Sequence, residues 1–332
     1  MSENTLLELK NLKTSFQIGD DYHAAVDDVT LNLNKNEVLA IVGESGCGKS
    51  ALAFSIMSLH TRAKVEGNII YDNKNLVKSS PQELSDLRGG SLGMIFQDPL
   101  TALNPLMTIG EQIDEAILLH NRSISKKDRS KKVIRLLEKV GIPRPDVTYA
   151  QFPHELSGGM RQRVVIAIAI ANDPQVLIAD EPTTALDATI QAQILDLMVG
   201  LKEEMEAGVI LITHDLGVVA EVADRVAVMY AGQIVELTDV YTLFDNPKHP
   251  YTRSLLNSIP SNVQPREKLH VIKGIVPPLQ YLPREGCRFS ERIPWVEDSE
   301  HEQNPELKEI EPGHFVRCTC YKNFSLSTEG AK

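Results

Sequence analysis

Apolar and polar positions alternate along this chain with two different periods. Short, nearly continuous apolar runs occur at "EVLAIVG" (37–43), "QVLIAD" (175–180), "GVILITH" (208–214) and "RVAVMYAGQIVE" (225–236). Runs of this kind read as strands covered on both faces, as in a parallel sheet. "LLELKNLKTSF", "AAVDDVTLNL" and "EGNIIYD" make residues 5–95 strand-rich. Helical spacing appears in "SALAFSIMSL" (50–59) and "SKKDRSKKVIRLLEKVG" (125–141), whose charge run reads as a solvated helix face. The predicted architecture is α/β: a strand-rich lobe, a helical segment over about 98–160, then strands and helices to about 245, around a parallel sheet. From about 246 the composition turns proline-rich, as in "NPKHPYTRSLLNSIPSNVQP" and "VPPLQYLPREGC". The expected division is therefore a domain over 5–250 and an extension of loops and short elements over 251–332.

Composition narrows the function classes. The chain has 332 residues, enough for one large α/β domain and an appendage. A formal net charge of −11 argues against a protein that coats nucleic acid or an anionic membrane, so no nucleic-acid partner is expected. The longest uncharged apolar run, "VVIAIAIA" (164–171), falls far short of the roughly 18 residues of a membrane span. The start, "MSENTLLELKNLKTSF", lacks the pattern of a secretory signal. The expectation is a cytoplasmic chain that works at a membrane only through partner proteins. Four cysteines, unevenly placed at 47, 287, 318 and 320, do not form a secreted disulfide framework.

"GESGCGKS" (43–50) has the spacing G-x-x-x-x-G-K-[ST] between an apolar strand and a helix. Glycines let backbone N–H groups converge on phosphate oxygens, and the helix start adds its positive dipole end. Gly43, Glu44, Ser45, Gly46, Cys47, Gly48, Lys49, Ser50 and Ala51 form the candidate phosphate cradle. Lys49 would reach the β- and γ-phosphates and Ser50 would ligate Mg²⁺. The bland alternative is a glycine-rich helix cap. Cys47 reads as a structural thiol, or as a reactive one if the helix start favours its thiolate.

A strand ending in two acids, Asp180 and Glu181, is costly unless they meet a cation or a proton donor. Asp180 suits the Mg²⁺ shell and Glu181 suits a general base for water; the bland alternative is a strand end capped by acids. "ELSGGMRQRVVIAIAIAN" (155–172) opens a helix with Ser157, Gly158 and Gly159, which is a second potential anion site or an ordinary capped helix. One nucleotide does not need two cradles. Two chains packed head to tail would sandwich ATP between one chain's lysine loop and the other's Ser-Gly-Gly turn.

With these motifs in this order, the chain resembles an ATP-binding-cassette ATPase over about residues 5–250. "GESGCGKS" matches its Walker A, "LSGGM" (156–160) its signature, 176–181 its Walker B, and "ALD" (185–187) its next motif. Gln97 in "MIFQDP" and His214 in "LITHD" match its glutamine and histidine switches. The resemblance implies ATP and Mg²⁺ as cofactors. It implies Glu181 as base, Gln97 on Mg²⁺ or the attacking water, and His214 on the γ-phosphate. Ser157 and Gly159 would contact the partner's γ-phosphate, and Asp187 would touch the opposite site. An aromatic residue before Walker A would stack on adenine: Phe16, with Tyr22 as the alternative.

"QDPLTALNPLMTIGEQI", "EPTTALDATIQAQILDLM" and "NPKHPYTRSLLNSIP" further resemble the ATPases of oligopeptide and dipeptide importers, in particular the first ATPase of their pair. Nickel-import ATPases share much of the pattern. This implies a second, homologous ATPase subunit, two membrane permease subunits and an extracytoplasmic peptide-binding protein. A soluble cassette ATPase acting on DNA or ribosomes would carry duplicated cassettes or long heptad inserts, which this chain lacks. Several relatives hold four cysteines in the extension, a set suited to an iron–sulfur cluster. Here "GCRFSERIP" keeps Cys287 but has Ile293 at the next position, and "FVRCTCY" supplies Cys318 and Cys320. The alternatives are a metal-free extension and a three-cysteine site completed by His301 or His314, for zinc or a cluster.

Overall fold

The computed structural model describes residues 4–184, 186–259, 272 and 274–325. It divides into two compact units: one from residues 1–8, 32–37 and 70–212, the other from 9–31, 38–69 and 213–332.

The first unit is built on three parallel strands, Leu92–Ile95, Val176–Asp180 and Gly208–Thr213, and every residue in them is buried. That is the environment their unbroken apolar sequences require. The helices Ile109–His120, Lys126–Lys139 and Gly158–Ala169 pack on one another. Thr108 starts the first of these with a capping box to Glu111, and Ser125 caps the second through the Asp128 N–H. Arg129 joins the two by an ion pair with Asp114 at 2.7 Å. The charge run over 126–128 is exposed, as its composition predicts.

In the second unit, Val38–Val42 lies parallel to Arg225–Tyr230, which pairs antiparallel with Gln233–Asp239. The sheet then continues into the extension. His314–Arg317 pairs antiparallel with Gln233–Asp239, and Leu307–Glu311 closes the hairpin. Sequence reading expects only loops and short elements there, because "LKEIEPGHFVR" is charged and carries a proline. Both suit the outer strand Leu307–Glu311, a largely exposed edge, with Gly313 at φ +74° in the turn to the buried inner strand. Among the described residues, the apolar side chains of the extension join the core of the sheet. Leu282, Phe289, Ile293 and Val296 share one apolar cluster with Ala40, Val42 and Tyr230 of the sheet. Among the described residues, no helix is long and apolar enough to cross a membrane.

Candidate active site

The phosphate loop runs from the buried strand Val38–Val42 into the helix Lys49–Ile56. Close approach forces two of its glycines. A Cβ on Gly43 would lie 2.1 Å from the Met229 carbonyl oxygen, and one on Gly48, at φ +107°, 2.4 Å from that of Ala25. Backbone oxygens cannot yield as a flexible side chain can, so any larger residue displaces the loop. Gly48 also gives the helix no side-chain cap. Its first-turn N–H groups are available to an anion at the positive end of the helix dipole.

Lys49 is only 6% exposed. Its Nζ donates to the Gly43 oxygen at 2.7 Å and the Glu44 oxygen at 3.1 Å. An ammonium carries three donors, and the third faces the Cys47 sulfur at 3.9 Å, so the loop itself positions the ammonium. Ser45, Gly46 and Ser50 are exposed, and Ala51 is half-buried. Cys47 is buried, and burial pushes its thiol up against the opposing pull of the Lys49 ammonium. The reactive reading of Cys47 is therefore corrected: desolvation outweighs the helix start, and the thiol packs inside the loop.

Glu44 is held from two sides by residues that sequence reading did not single out. Its N–H donates to the Tyr251 hydroxyl at 2.8 Å. Its carboxylate accepts Arg292 Nη1 at 2.6 Å and Nη2 at 3.1 Å, a two-pronged ion pair from the extension into the phosphate loop. Phe16, in the same unit, is half-buried, and its ring meets His60 edge to face at 5.1 Å. Tyr22 is 55% exposed. His214 is exposed at the end of its strand, before Asp215, whose carboxylate caps the helix Leu216–Val222.

In the other unit, the strand Val176–Asp180 ends at a buried Asp180, 3% exposed. Glu181 follows at φ +48°, in the left-handed region that non-glycine residues seldom enter, with its N–H fixed to the Ile212 oxygen at 2.9 Å. The turn presents its carboxylate to two donors. Gln97 Nε2 reaches Oε2 at 3.1 Å and Thr184 Oγ1 reaches the same oxygen at 2.9 Å. Gln97 and Glu181 are 84 residues apart in sequence, and the fold brings their side chains together. Thr184 was missed, although a hydroxyl three residues after the acid was its signal. Ser157 precedes the Gly158–Ala169 helix and accepts the Met160 N–H at 3.4 Å. Ser157 and Gly158 are exposed, while a Cβ on Gly159 would press on Ile190 at 2.8 Å. Asp187 caps the helix Ala188–Met205 through the N–H groups of Thr189 and Ile190. Ala185 lies outside the described residues.

A loop with this shape accepts nucleotide phosphate, and an acid held by an amide and a hydroxyl can take a proton from water. Joined to a Ser-Gly-Gly helix start, that pairing defines the class of cassette ATPases. Residues 26–184 match the model of the ABC transporter family, and residues 235–298 match that of the oligopeptide/dipeptide transporter C-terminal region. The oligopeptide transport ATP-binding protein OppD of Lactococcus lactis subsp. cremoris (strain SK11) is 50% identical over 335 residues, covering 100% of this chain and 99% of its own. The dipeptide transport ATP-binding protein DppD of Lactococcus lactis subsp. cremoris (strain MG1363) is 46% identical, covering 96% of this chain and 91% of its own. Among solved structures, the dimeric post-hydrolysis state of the ATP-binding cassette MJ0796 bound to ADP and Pi superposes with a TM-score of 0.65. That cassette is 30% identical and covers 71% of this chain. The chain belongs to the ABC transporter ATP-binding family, in its oligopeptide/dipeptide branch.

Proposed function

We infer that this chain binds and hydrolyses ATP to power the uptake of di- or oligopeptides through membrane permease subunits. The observation that supports turnover best is the Glu181 carboxylate, oriented by Gln97 and Thr184. The peptide class rests on similarity that runs through the extension as well as the cassette.

Phosphoryl transfer to water asks mainly for positioning and charge neutralisation. The amides of residues 43–51 orient the triphosphate and the Lys49 ammonium meets its negative charge. Phe16 stacks on adenine. Glu181 takes the proton of the attacking water, with Gln97 and His214 holding water and γ-phosphate. Ser157, Gly158, Gly159 and Asp187 serve the nucleotide of a second, homologous ATPase subunit. Ser50, Gln97 and Asp180 offer the hard oxygen donors that suit Mg²⁺. Bound there, Mg²⁺ would neutralise phosphate charge. The assembly works at the cytoplasmic face of the membrane, and an extracytoplasmic binding protein delivers the peptide.

The test is uptake in cells lacking the native gene, complemented with the wild-type chain or Glu181→Gln. Labelled dipeptide, a longer oligopeptide and nickel ion are offered side by side. Peptide uptake restored by the wild type alone is the expected result. Nickel uptake alone, or no uptake with ATPase activity intact, would overturn the peptide assignment.

A further inference from the structure

The extension carries a group of side chains that ATP hydrolysis does not use. Cys287, His301, Cys318 and Cys320 converge so that their ligand atoms all lie within 4.8 Å of one another. All three thiols are buried and free. Both ring nitrogens of His301 are buried with no hydrogen-bond partner among the described residues. A buried, unsatisfied nitrogen costs about 1–3 kcal/mol, so an imidazole placed this way needs something to bind. The other candidate histidine lies outside this converging group, although its Nδ1 is also buried without a partner among the described residues. His314 Nε2 is committed to the Glu236 carboxylate at 2.7 Å, inside a different buried polar cluster.

The resemblance noted from the sequence raises the iron–sulfur cluster of four-cysteine relatives, and the residues here do not fit it. One of the four donors is an imidazole. A four-iron cube also inserts a separate iron behind each ligand, and so holds its ligand atoms further apart than one ion does. A single tetrahedral zinc, with Zn–S of about 2.3 Å and Zn–N of about 2.0 Å, sets its ligand atoms roughly 3.5–3.8 Å apart. The observed spread of at most 4.8 Å reaches that by small side-chain rotations. The local backbone is arranged accordingly. Cys318 sits at φ +69°, a turn that brings the sulfurs of Cys-Thr-Cys to one point.

We propose that Cys287, His301, Cys318 and Cys320 bind one structural zinc ion. The ion ties together three segments of the extension that otherwise share few regular hydrogen bonds. Those segments carry the arginines that hold the extension to the rest of the second unit. Arg288 pairs with Asp27, Arg317 with Asp28, and Arg292 with Glu44 of the phosphate loop. Zinc thereby fixes the frame from which Arg292 reaches Glu44.

The test starts with the full chain, purified without oxygen from cells supplied with both iron and zinc. Metal and acid-labile sulfide are then measured per chain. About one zinc with no sulfide is expected, released when an organomercurial titrates the thiols. Replacement by cobalt(II) should give strong thiolate-to-metal absorption and the visible bands of a tetrahedral site. His301→Cys should keep the zinc, whereas His301→Ala should weaken its retention about 10–100-fold against a chelator. About four irons with sulfide would overturn the proposal in favour of a cluster. So would wild-type protein with less than about a tenth of an equivalent of zinc, or zinc retained unchanged by His301→Ala. The metal content of the wild-type chain decides the matter even if a variant fails to fold.

Discussion

Two glycine-containing turns each open a helix in this molecule, and their surroundings are opposite. The phosphate loop is enclosed: Lys49 is buried inside it, and Gly43 and Gly48 touch backbone oxygens. Glu44 is gripped by Tyr251 and Arg292. The Ser-Gly-Gly turn is open: Ser157 and Gly158 are exposed, and the serine does no more than cap its own helix. The first turn is shaped by the chain around it. The second has the donors of an anion site but is open to solvent, which fits the proposal that it serves the nucleotide of a partner subunit.

The largest expected effect breaks the enclosed turn. Lys49→Ala removes the ammonium that neutralises phosphate, and should abolish detectable nucleotide binding and lower turnover by about 10³-fold. Binding of a fluorescent ATP analogue and steady-state hydrolysis read the two effects. Nucleotide binding left intact would show that the loop holds phosphate through its amides alone.

The open turn should separate the same two readouts. A Cβ at Gly158 has only Leu186 near it, at 3.9 Å, so Gly158→Asp can be accommodated without moving the helix. The new carboxylate would repel a partner's γ-phosphate. Nucleotide binding by the lone chain should stay within about twofold, while hydrolysis by the assembled transporter falls about 10²-fold. Loss of binding by the lone chain would mean that the turn serves its own nucleotide.

The two turns were legible in the sequence because each is local. Glycine spacing, a flanking strand and a following helix all fall within a dozen residues, and propensity with motif chemistry agree there. The grip on Glu44 was not legible. Arg292 is 248 residues away and Tyr251 is 207 away, and an ion pair between distant segments leaves no periodicity to read. The choice between His301 and His314 was hidden for a related reason. Both lie between the same cysteines, and only the buried Glu236 carboxylate, which claims His314, decides between them.

That unforeseen grip gives the next test. Glu44 is 30% exposed, so losing Arg292 leaves its carboxylate partly hydrated but no longer positioned. Charge-assisted hydrogen bonds of this kind contribute about 1.5–3 kcal/mol, part of which holds the loop ready for phosphate. Arg292→Ala should weaken ATP binding about tenfold, with Arg292→Lys intermediate because one amine cannot reproduce the fork. Unchanged affinity in isothermal titration would make the contact a mere tether for the extension.

Acid should also act on the enclosed turn first. His249 Nδ1 accepts the Tyr251 N–H at 3.1 Å, and the Tyr251 hydroxyl supports Glu44. Burial holds His249 down from 6.5 to about 4, against the pull of Glu236. Glu236 itself is buried, yet its contact with His314 and the N–H groups of Lys248 and His249 hold its carboxylate below the usual range. Both groups have folded-state values below their unfolded ones. The stabilisation from neutral His249 is full above about pH 6.5 and is lost as pH falls to about 4, whereas that from ionised Glu236 is lost only as pH falls below its ordinary 4.5. Because the folded chain keeps His249 neutral down to about 4, ATP affinity should hold from pH 7 to pH 5 and drop several-fold only as pH approaches 4, and circular dichroism beside the binding assay separates this from global unfolding.

The smallest effect tests the open turn at its cap. The Ser157 hydroxyl accepts a long 3.4 Å bond from Met160, so Ser157→Ala should cost about 0.5–1 kcal/mol of stability, and Ser157→Gly only a few tenths. If the hydroxyl is only a cap, turnover should follow that order, with Gly nearly wild type. If the hydroxyl also meets a partner's phosphate, both variants lose the same donor. Turnover should then fall several-fold in Ala and Gly alike while their melting temperatures differ. Parallel thermal melts and transporter hydrolysis assays on the two variants distinguish the cases, because stability and turnover share a cause only in the first.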